Sequence, residues 1–284
     1  MSAKIVDQLF KIGGGGKIMG SHVPSRLKLL VSTIRAPFQR RGALLPPRHL
    51  IDLVGGGDFT VIGDEFIEYI MTLGGVKPHH RVLDVGSGCG RMAVPLMSRI
   101  SDEGGYWGFD ILDEGVRWCE RNITTKHPNF HFFVSDIYNK IYNPKGKYRA
   151  QEFRFPYEND FFDFVFLTSV FTHMIPPDMN HYLSEITRVL KPGARCLITF
   201  YLLNTESRNH MKRGKSTFHF SYKLNNCWAV REDIPEAAIA FDEDYIRGCF
   251  KTQGLGIIEP IHFGSWSGRE EFLSSQDIVI ASKP

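Results

Sequence analysis

At 284 residues, with 43% hydrophobic and 23% charged side chains, the chain has the length and composition of one large globular domain, or of one domain with an appendage. No apolar run nears the about eighteen residues of a membrane span, and the basic, glycine-broken Met1–Gly20 lacks a signal peptide's apolar core, so a cytoplasmic setting is expected. The five cysteines are scattered without C-x-x-C spacing, which suits a reducing compartment and offers neither a disulfide framework nor a zinc site. The net charge of +3 is uneven, because residues 1–50 hold nine Lys/Arg against Asp7 alone and the remainder carries −5.

In chain order, residues 1–50 read as a basic arm that is partly flexible around Gly13–Gly16. Within it Leu27, Leu30, Val31 and Ile34 fall at helical spacing over 24–38, with Arg and Lys between them. Such a helix suits weak contact with an anionic membrane surface or with a partner. A helix that caps the core or the substrate cleft is the simpler reading, since membrane binding asks for more apolar surface. From residue 51 onward the pattern changes. Phe66, Ile67, Ile70 and Leu73 predict a helix between Gly63 and Gly75, and Val82–Val85 predicts a buried strand. Helix over Met92–Ile100, strand over Gly105–Asp110, helix over Val116–Thr124 and strand over Phe130–Ser135 follow. Phe162–Ser169 is a fourth strand, Met179–Leu190 a helix stopped by Lys191-Pro192-Gly193, and Ala194–Tyr201 a fifth strand. Strands that alternate with helices indicate an α/β fold with a mostly parallel sheet covered on both faces. The long polar stretch 203–236 reads as a lid insertion above the carboxyl ends of the strands. Ile239–Gln253 reads as helix, and Gly256–His262 and Asp277–Ala281 as closing strands.

The chemistry concentrates where the first strand ends, in Asp84-Val85-Gly86-Ser87-Gly88-Cys89-Gly90-Arg91. Glycines at alternate positions allow left-handed backbone angles and close approach of a ligand, and a helix N-terminus follows. The dinucleotide fingerprint would need glycine where Arg91 stands, and the P-loop would need a Gly-Lys-Ser/Thr ending. The D-V-G-x-G-x-G form resembles the first motif of the class I S-adenosylmethionine-dependent methyltransferases, and the resemblance runs with gaps from about Arg81 to Ser282. It implies a Rossmann-like seven-stranded sheet and S-adenosyl-L-methionine as cofactor. It implies that Gly86, Gly88 and Gly90 pack on the methionine end, that Asp110 accepts the ribose hydroxyls, and that Asp136 meets the adenine amino group with Ile137 against the ring. Asp84, Ser87, Arg91, Ile111 and Thr168 are expected on the cofactor as well.

For the acceptor, the segment after the fourth strand reads Leu167-Thr168-Ser169-Val170-Phe171-Thr172-His173-Met174. Relatives that methylate base amines in nucleic acids usually show Asp/Asn-Pro-Pro-aromatic here, so nucleic acid is not the expected partner. No cluster of acids marks a divalent cation, so no metal is expected. The resemblance places a histidine in this segment as general base in several sugar and small-molecule O-methyltransferases. His173 is therefore the candidate base, against the alternative that it packs or caps the next helix. Tyr157, His210 in the lid, Trp266 and Arg269 are candidate contacts to a glycan or small-molecule acceptor. Trp266 serves equally as core, and Arg269 as an ion pair. The expected function is O-methylation of a sugar or other small hydroxyl. A small-molecule N-methyltransferase and a cofactor-binding partner protein without turnover remain alternatives, and the oligomeric state is left open.

Overall fold

A computed structural model of the chain describes residues 44–284, so the amphipathic stretch 24–38 and most of the basic arm lie outside the described residues. The first described helices are α1 (Arg48–Leu53), which follows Pro46-Pro47, and α2 (Phe59–Thr72). Asp58 caps α2 by accepting the N–H groups of Thr60 and Val61, both at 3.0 Å. The helix thus runs straight through Gly63, which was expected to precede it. A Cβ there would stand 2.6 Å from the Arg91 carbonyl, so glycine is what lets α2 lie against the backbone after the glycine turn.

Seven strands form the main sheet: β1 (Arg81–Val85), β2 (Gly105–Asp110), β3 (Phe130–Val134), β4 (Phe162–Leu167), β5 (Leu190–Phe200), β10 (Gly256–His262) and β11 (Asp277–Ser282). Their order is β10-β11-β5-β4-β1-β2-β3, with β11 alone running antiparallel to its neighbours. The α/β, mostly parallel sheet expected from the pattern and the Rossmann-like seven strands implied by the resemblance are both observed. Alternation along β1 explains the two covered faces. Leu83 and Val85 join the cluster under α5 (Pro176–Val189), while Val82 faces the cluster that contains Phe66, Ile67 and Ile70 of α2. On α5, Met179, Tyr182, Leu183, Ile186 and Val189 are buried at helical spacing.

Several boundaries differ from the sequence expectation. The helix after the glycine turn shrinks to α3 (Ala93–Leu96) and turns follow it, whereas α4 (Asp113–Cys119) begins three residues early and continues as a wider π turn over Glu120–Thr124. Lys191-Pro192-Gly193 does not precede β5 but belongs to it. Gly193 takes φ +78° there, its N–H donates to the Lys283 carbonyl, and the register shifts between Phe162 and Phe164 on β4. The largest difference is the 203–236 segment, which is not an unstructured lid. It holds α6 (Thr205–Lys212), β7 (Tyr222–Leu224) and β8 (Cys227–Ala229). With β6 (Leu202–Leu203) and β9 (Ile239–Asp242) these strands make a second sheet in the order β6-β9-β8-β7. Ile239–Asp242 is therefore strand rather than the start of a helix, and α7 begins only at Glu243 and ends at Thr252. Pairing with β6 and β8 on either side overrides the helical periodicity there. Among the described residues no helix is long and apolar enough to cross a membrane.

Candidate active site

The glycine turn hangs from the carboxyl end of β1. Gly86, Gly88 and Gly90 take φ of +89°, +55° and +80°, which L side chains rarely adopt. Packing makes the same demand, since a Cβ on Gly86 would lie 2.3 Å from Val170 Cγ2 and one on Gly88 2.8 Å from Val54 Cγ1. The N–H groups of Gly86 and Ser87 donate to the Phe109 carbonyl at 2.9 and 3.0 Å, which straps the turn to β2. At the end of that strand Asp110 accepts the Gly88 N–H at 2.7 Å and the Leu112 N–H at 2.8 Å. Burial pushes its carboxyl above the ordinary aspartate value, and these donors oppose the shift.

Asp84 lies beneath the turn and is buried. Its Oδ2 accepts the Tyr106 hydroxyl at 2.6 Å, and burial pushes the carboxyl up to about 8. Its Oδ1 and the Ser87 hydroxyl are buried with no hydrogen-bond partner among the described residues. Buried polar atoms left unspent at a glycine cradle suit a polar ligand that completes them, so the residues present fit an adenosyl cofactor. Beside the turn is a cavity of about 200 Å³, lined by Leu50, Val54, Cys89, Ile111, Leu112 and Tyr142 among others. Ile111 thus stands at it as expected. Arg91 does not turn inward. One guanidinium nitrogen donates to the Gly56 carbonyl at 2.6 Å and the group sits 5.8 Å from the Phe59 ring, so Arg91 braces the chain between α1 and α2.

At the end of β3, Asp136 is half-exposed and pairs with Lys147 at 3.3 Å, while Ile137 is buried in the main core. The loop beyond Ile137 folds back so that its bridge to Tyr148 closes a compact turn, stapled by Asn139, whose side chain accepts the N–H groups of Ile141 and Tyr142. This loop carries Tyr142 onto the cavity, and Lys140 of the same loop donates to the Asp233 carbonyl in the second-sheet segment at 2.8 Å.

Thr168 is half-buried directly after β4. Ser169 follows with φ +60°, and Val170 then packs over Gly86. The next turn, Phe171–His173, presents the imidazole. His173 Nδ1 lies 2.8 Å from the Glu236 carbonyl, and a carbonyl only accepts, so Nδ1 carries the proton and Nε2 the lone pair. Burial lowers the His173 pKa, and the Glu236 carbonyl counters part of that. The Tyr142 ring meets the imidazole edge-to-face, with centroids 5.8 Å apart. The glycine turn, Asp110, Tyr142 and His173 are thus brought to one end of the sheet.

The expected acceptor contacts are not brought there. Tyr157 packs against Phe133, Phe161 and Phe162, and its carbonyl accepts from Arg188. Trp266 is 2% exposed, and its indole N–H donates to the buried Asp277 at 2.9 Å. Arg269, with a side chain 7% exposed, is tied to Glu206, to the Ser267 hydroxyl and to Asn204, and lies over Phe263. His210 Nδ1 meets the Ser267 carbonyl at 3.1 Å. His210 and Arg269 fasten α6 to the 264–269 segment, and Trp266 ties that segment to Asp277, instead of facing a ligand. Asp277 is the knot's centre, accepting also the N–H groups of Gly264 and Leu202, both at 2.6 Å. The sequence carried no signal for Tyr142 beyond the length of the loop that bears it.

Comparison with known proteins bears on this arrangement. Residues 82–193 match the family model described as a methyltransferase domain. The tRNA N(3)-cytidine methyltransferase METTL2 of Gallus gallus is 24% identical over 186 residues, 65% of this chain and 45% of that protein. Phosphoethanolamine N-methyltransferase 2 of Caenorhabditis elegans is 28% identical over 141 residues, 49% of this chain and 28% of that protein. The chain spans less than half the length of these curated relatives. The crystal structure of the PH0226 protein from Pyrococcus horikoshii OT3 superposes with a TM-score of 0.54 at 15% identity, over 81% of this chain and 93% of that one, a likeness of fold.

Proposed function

The chain belongs to the class I S-adenosylmethionine-dependent methyltransferases, with the family's domain over residues 82–193, and from that premise we propose that it O-methylates a sugar or another small hydroxyl compound with His173 as general base. When bound, S-adenosylmethionine supplies a methyl group on a sulfonium, which the acceptor oxygen takes by in-line displacement as the carbon–sulfur electron pair stays with sulfur. Gly86, Gly88 and Gly90, with Ser87 and Asp84, form the methionine end of the site in this reading. Asp110 and Ile111 hold the ribose, Asp136 and Ile137 the adenine, and Thr168 closes the cleft after β4. The 203–236 segment is the lid, and its Glu236 carbonyl holds the imidazole.

The observation that carries the reading is the His173 Nδ1–Glu236 contact of 2.8 Å. It fixes the tautomer in which Nε2 can take the hydroxyl proton, and the lowered pKa keeps the ring neutral at pH 7. A hydroxyl oxygen needs that help, because it is a weak nucleophile until its proton is leaving.

The test is a calorimetric titration with S-adenosylmethionine and S-adenosylhomocysteine, joined to turnover measured as S-adenosylhomocysteine release. His173→Ala should lower turnover by about 10²-fold or more, the usual weight of a general base, with cofactor affinity near normal. Asp110→Ala should abolish cofactor binding. Equal losses of turnover and affinity in His173→Ala would make the histidine structural. Turnover on an amine that ignores His173→Ala would mark an amine methyltransferase, the reaction named for the nematode relative. Transfer to tRNA would instead follow the name of the avian one.

A further inference from the structure

A chain of uncharged polar groups starts at Ser169, four residues before His173, and has no part in the base's own positioning. Ser169, immediately after β4, holds φ +60° without being glycine, a conformation that side chains other than glycine seldom take and that is often found at functional positions. Its N–H donates to the hydroxyl of the fully buried Thr199 on β5 at 2.8 Å, which fixes the direction of its exposed side chain. The Ser169 hydroxyl donates to Gln276 Oε1 at 3.1 Å, and Gln276 Nε2 donates to the Tyr201 hydroxyl at 3.2 Å. The three residues sit at the ends of β4 and β5 and at the start of β11, on the sheet edge that also carries the glycine turn. Val170, next to Ser169, covers Gly86, and His173 lies four residues further on.

The unspent capacity of this chain defines what it can bind. Ser169 Oγ keeps its lone pairs and Gln276 keeps a second N–H, so the pair can both accept from and donate to one ligand. Tyr201, buried among Phe218, Phe220 and Trp266, anchors Gln276. Among the described residues the side chains bonded to this chain, Thr199 and Tyr201, are uncharged. The carboxylate of Asp277 is committed to three N–H groups, and only burial and the Glu236 carbonyl act on His173. Uncharged donors and acceptors of this kind match an uncharged polar ligand. A hydroxyl both donates and accepts, and fits.

Building on the methyltransferase reading above, we infer that Ser169 and Gln276, positioned by Thr199 and Tyr201, form the acceptor subsite and select a neutral polyhydroxylated acceptor by gripping a hydroxyl next to the one methylated. The strained Ser169 supplies a variant that separates this role from stability. Ser169→Gly relieves the backbone while it removes the exposed hydroxymethyl group and its bond to Gln276, so its Tm should not fall.

The experiment measures S-adenosylhomocysteine release with methyl hexosides and inositol as neutral probes, and with ethanolamine and a tRNA transcript as charged ones. In parallel, ligand-observed NMR follows the neutral probes on protein loaded with S-adenosylhomocysteine. Turnover is expected with a neutral probe, with KM raised about tenfold in Ser169→Gly and in Gln276→Leu, the worth of one hydrogen bond, while cofactor affinity stays unchanged. Release with ethanolamine or tRNA alone overturns the inference, as does a neutral-probe KM that neither variant moves. Normal cofactor binding without release or NMR contact for any neutral probe overturns it too. Failure to bind S-adenosylmethionine at all would sink the methyltransferase reading beneath it, a distinct result.

Discussion

At the scale of single residues, the site combines groups whose environments push them in opposite directions. Asp84 is driven up to about 8 by burial, so it favours the protonated, neutral form at pH 7. His173 is driven below its ordinary 6.5 by the same cause and also stays neutral. For the histidine the sign works out as follows. A base must be unprotonated to act, so turnover should hold level around neutrality and fall only as pH drops through the lowered pKa. The acid limb of the kcat profile should therefore have its inflection below 6.5, and that limb should vanish in His173→Ala. A limb centred above 6.5 would mean that the imidazole is more solvated than its place beneath Tyr142 and the Glu236 carbonyl implies. Legibility at this scale was divided. The three glycines were readable because each is demanded by its own local backbone. Trp266 and Arg269 read equally as acceptor contacts or as core and ion pair; in the structure Trp266 is core and donates to Asp277, eleven residues on, and Arg269 pairs with Glu206, 63 residues back.

At the scale of elements, the lead-in to β4 shows how a segment without regular structure is held. Arg188 on α5 donates to both oxygens of the buried Glu185 at 2.8 and 2.7 Å, and also to the carbonyls of Phe155 and Tyr157 at 2.9 and 2.8 Å. Glu185 in turn accepts the Phe155 N–H at 2.8 Å. Arg188→Ala would leave Glu185 buried without its countercharge and release both carbonyls. A loss of about 3 kcal/mol in denaturant unfolding is expected, the lower range for breaking a buried pair. A loss under about 1 kcal/mol would place the pair with ordinary surface salt bridges. The same scale explains the misread tail. Ile239–Asp242 has a helix's composition until β6 and β8 offer it pairing on both edges. The two-residue Asn225-Asn226 turn, with Asn226 at φ +61°, is a hairpin signal that the polar character of its surroundings masks.

At the scale of the whole molecule, Leu50 of α1 lines the cavity beside the glycine turn, so the described chain from α1 onward carries that wall. A chain lacking residues 1–40 should keep its turnover on a soluble acceptor and its cofactor affinity. A loss of turnover with affinity intact would give the arm a part in acceptor capture. What the sequence alone determined was the α/β order of strands and helices and the glycine turn at the end of β1. Those features are local: alternation along β1 and glycines at alternate positions. Only the tertiary structure decided the second sheet within 203–236, the Tyr142 loop over the cavity, and the Ser169–Gln276–Tyr201 chain. Each of these joins residues tens of positions or more apart, and no spacing within one segment records which loops a folded sheet brings to the same edge.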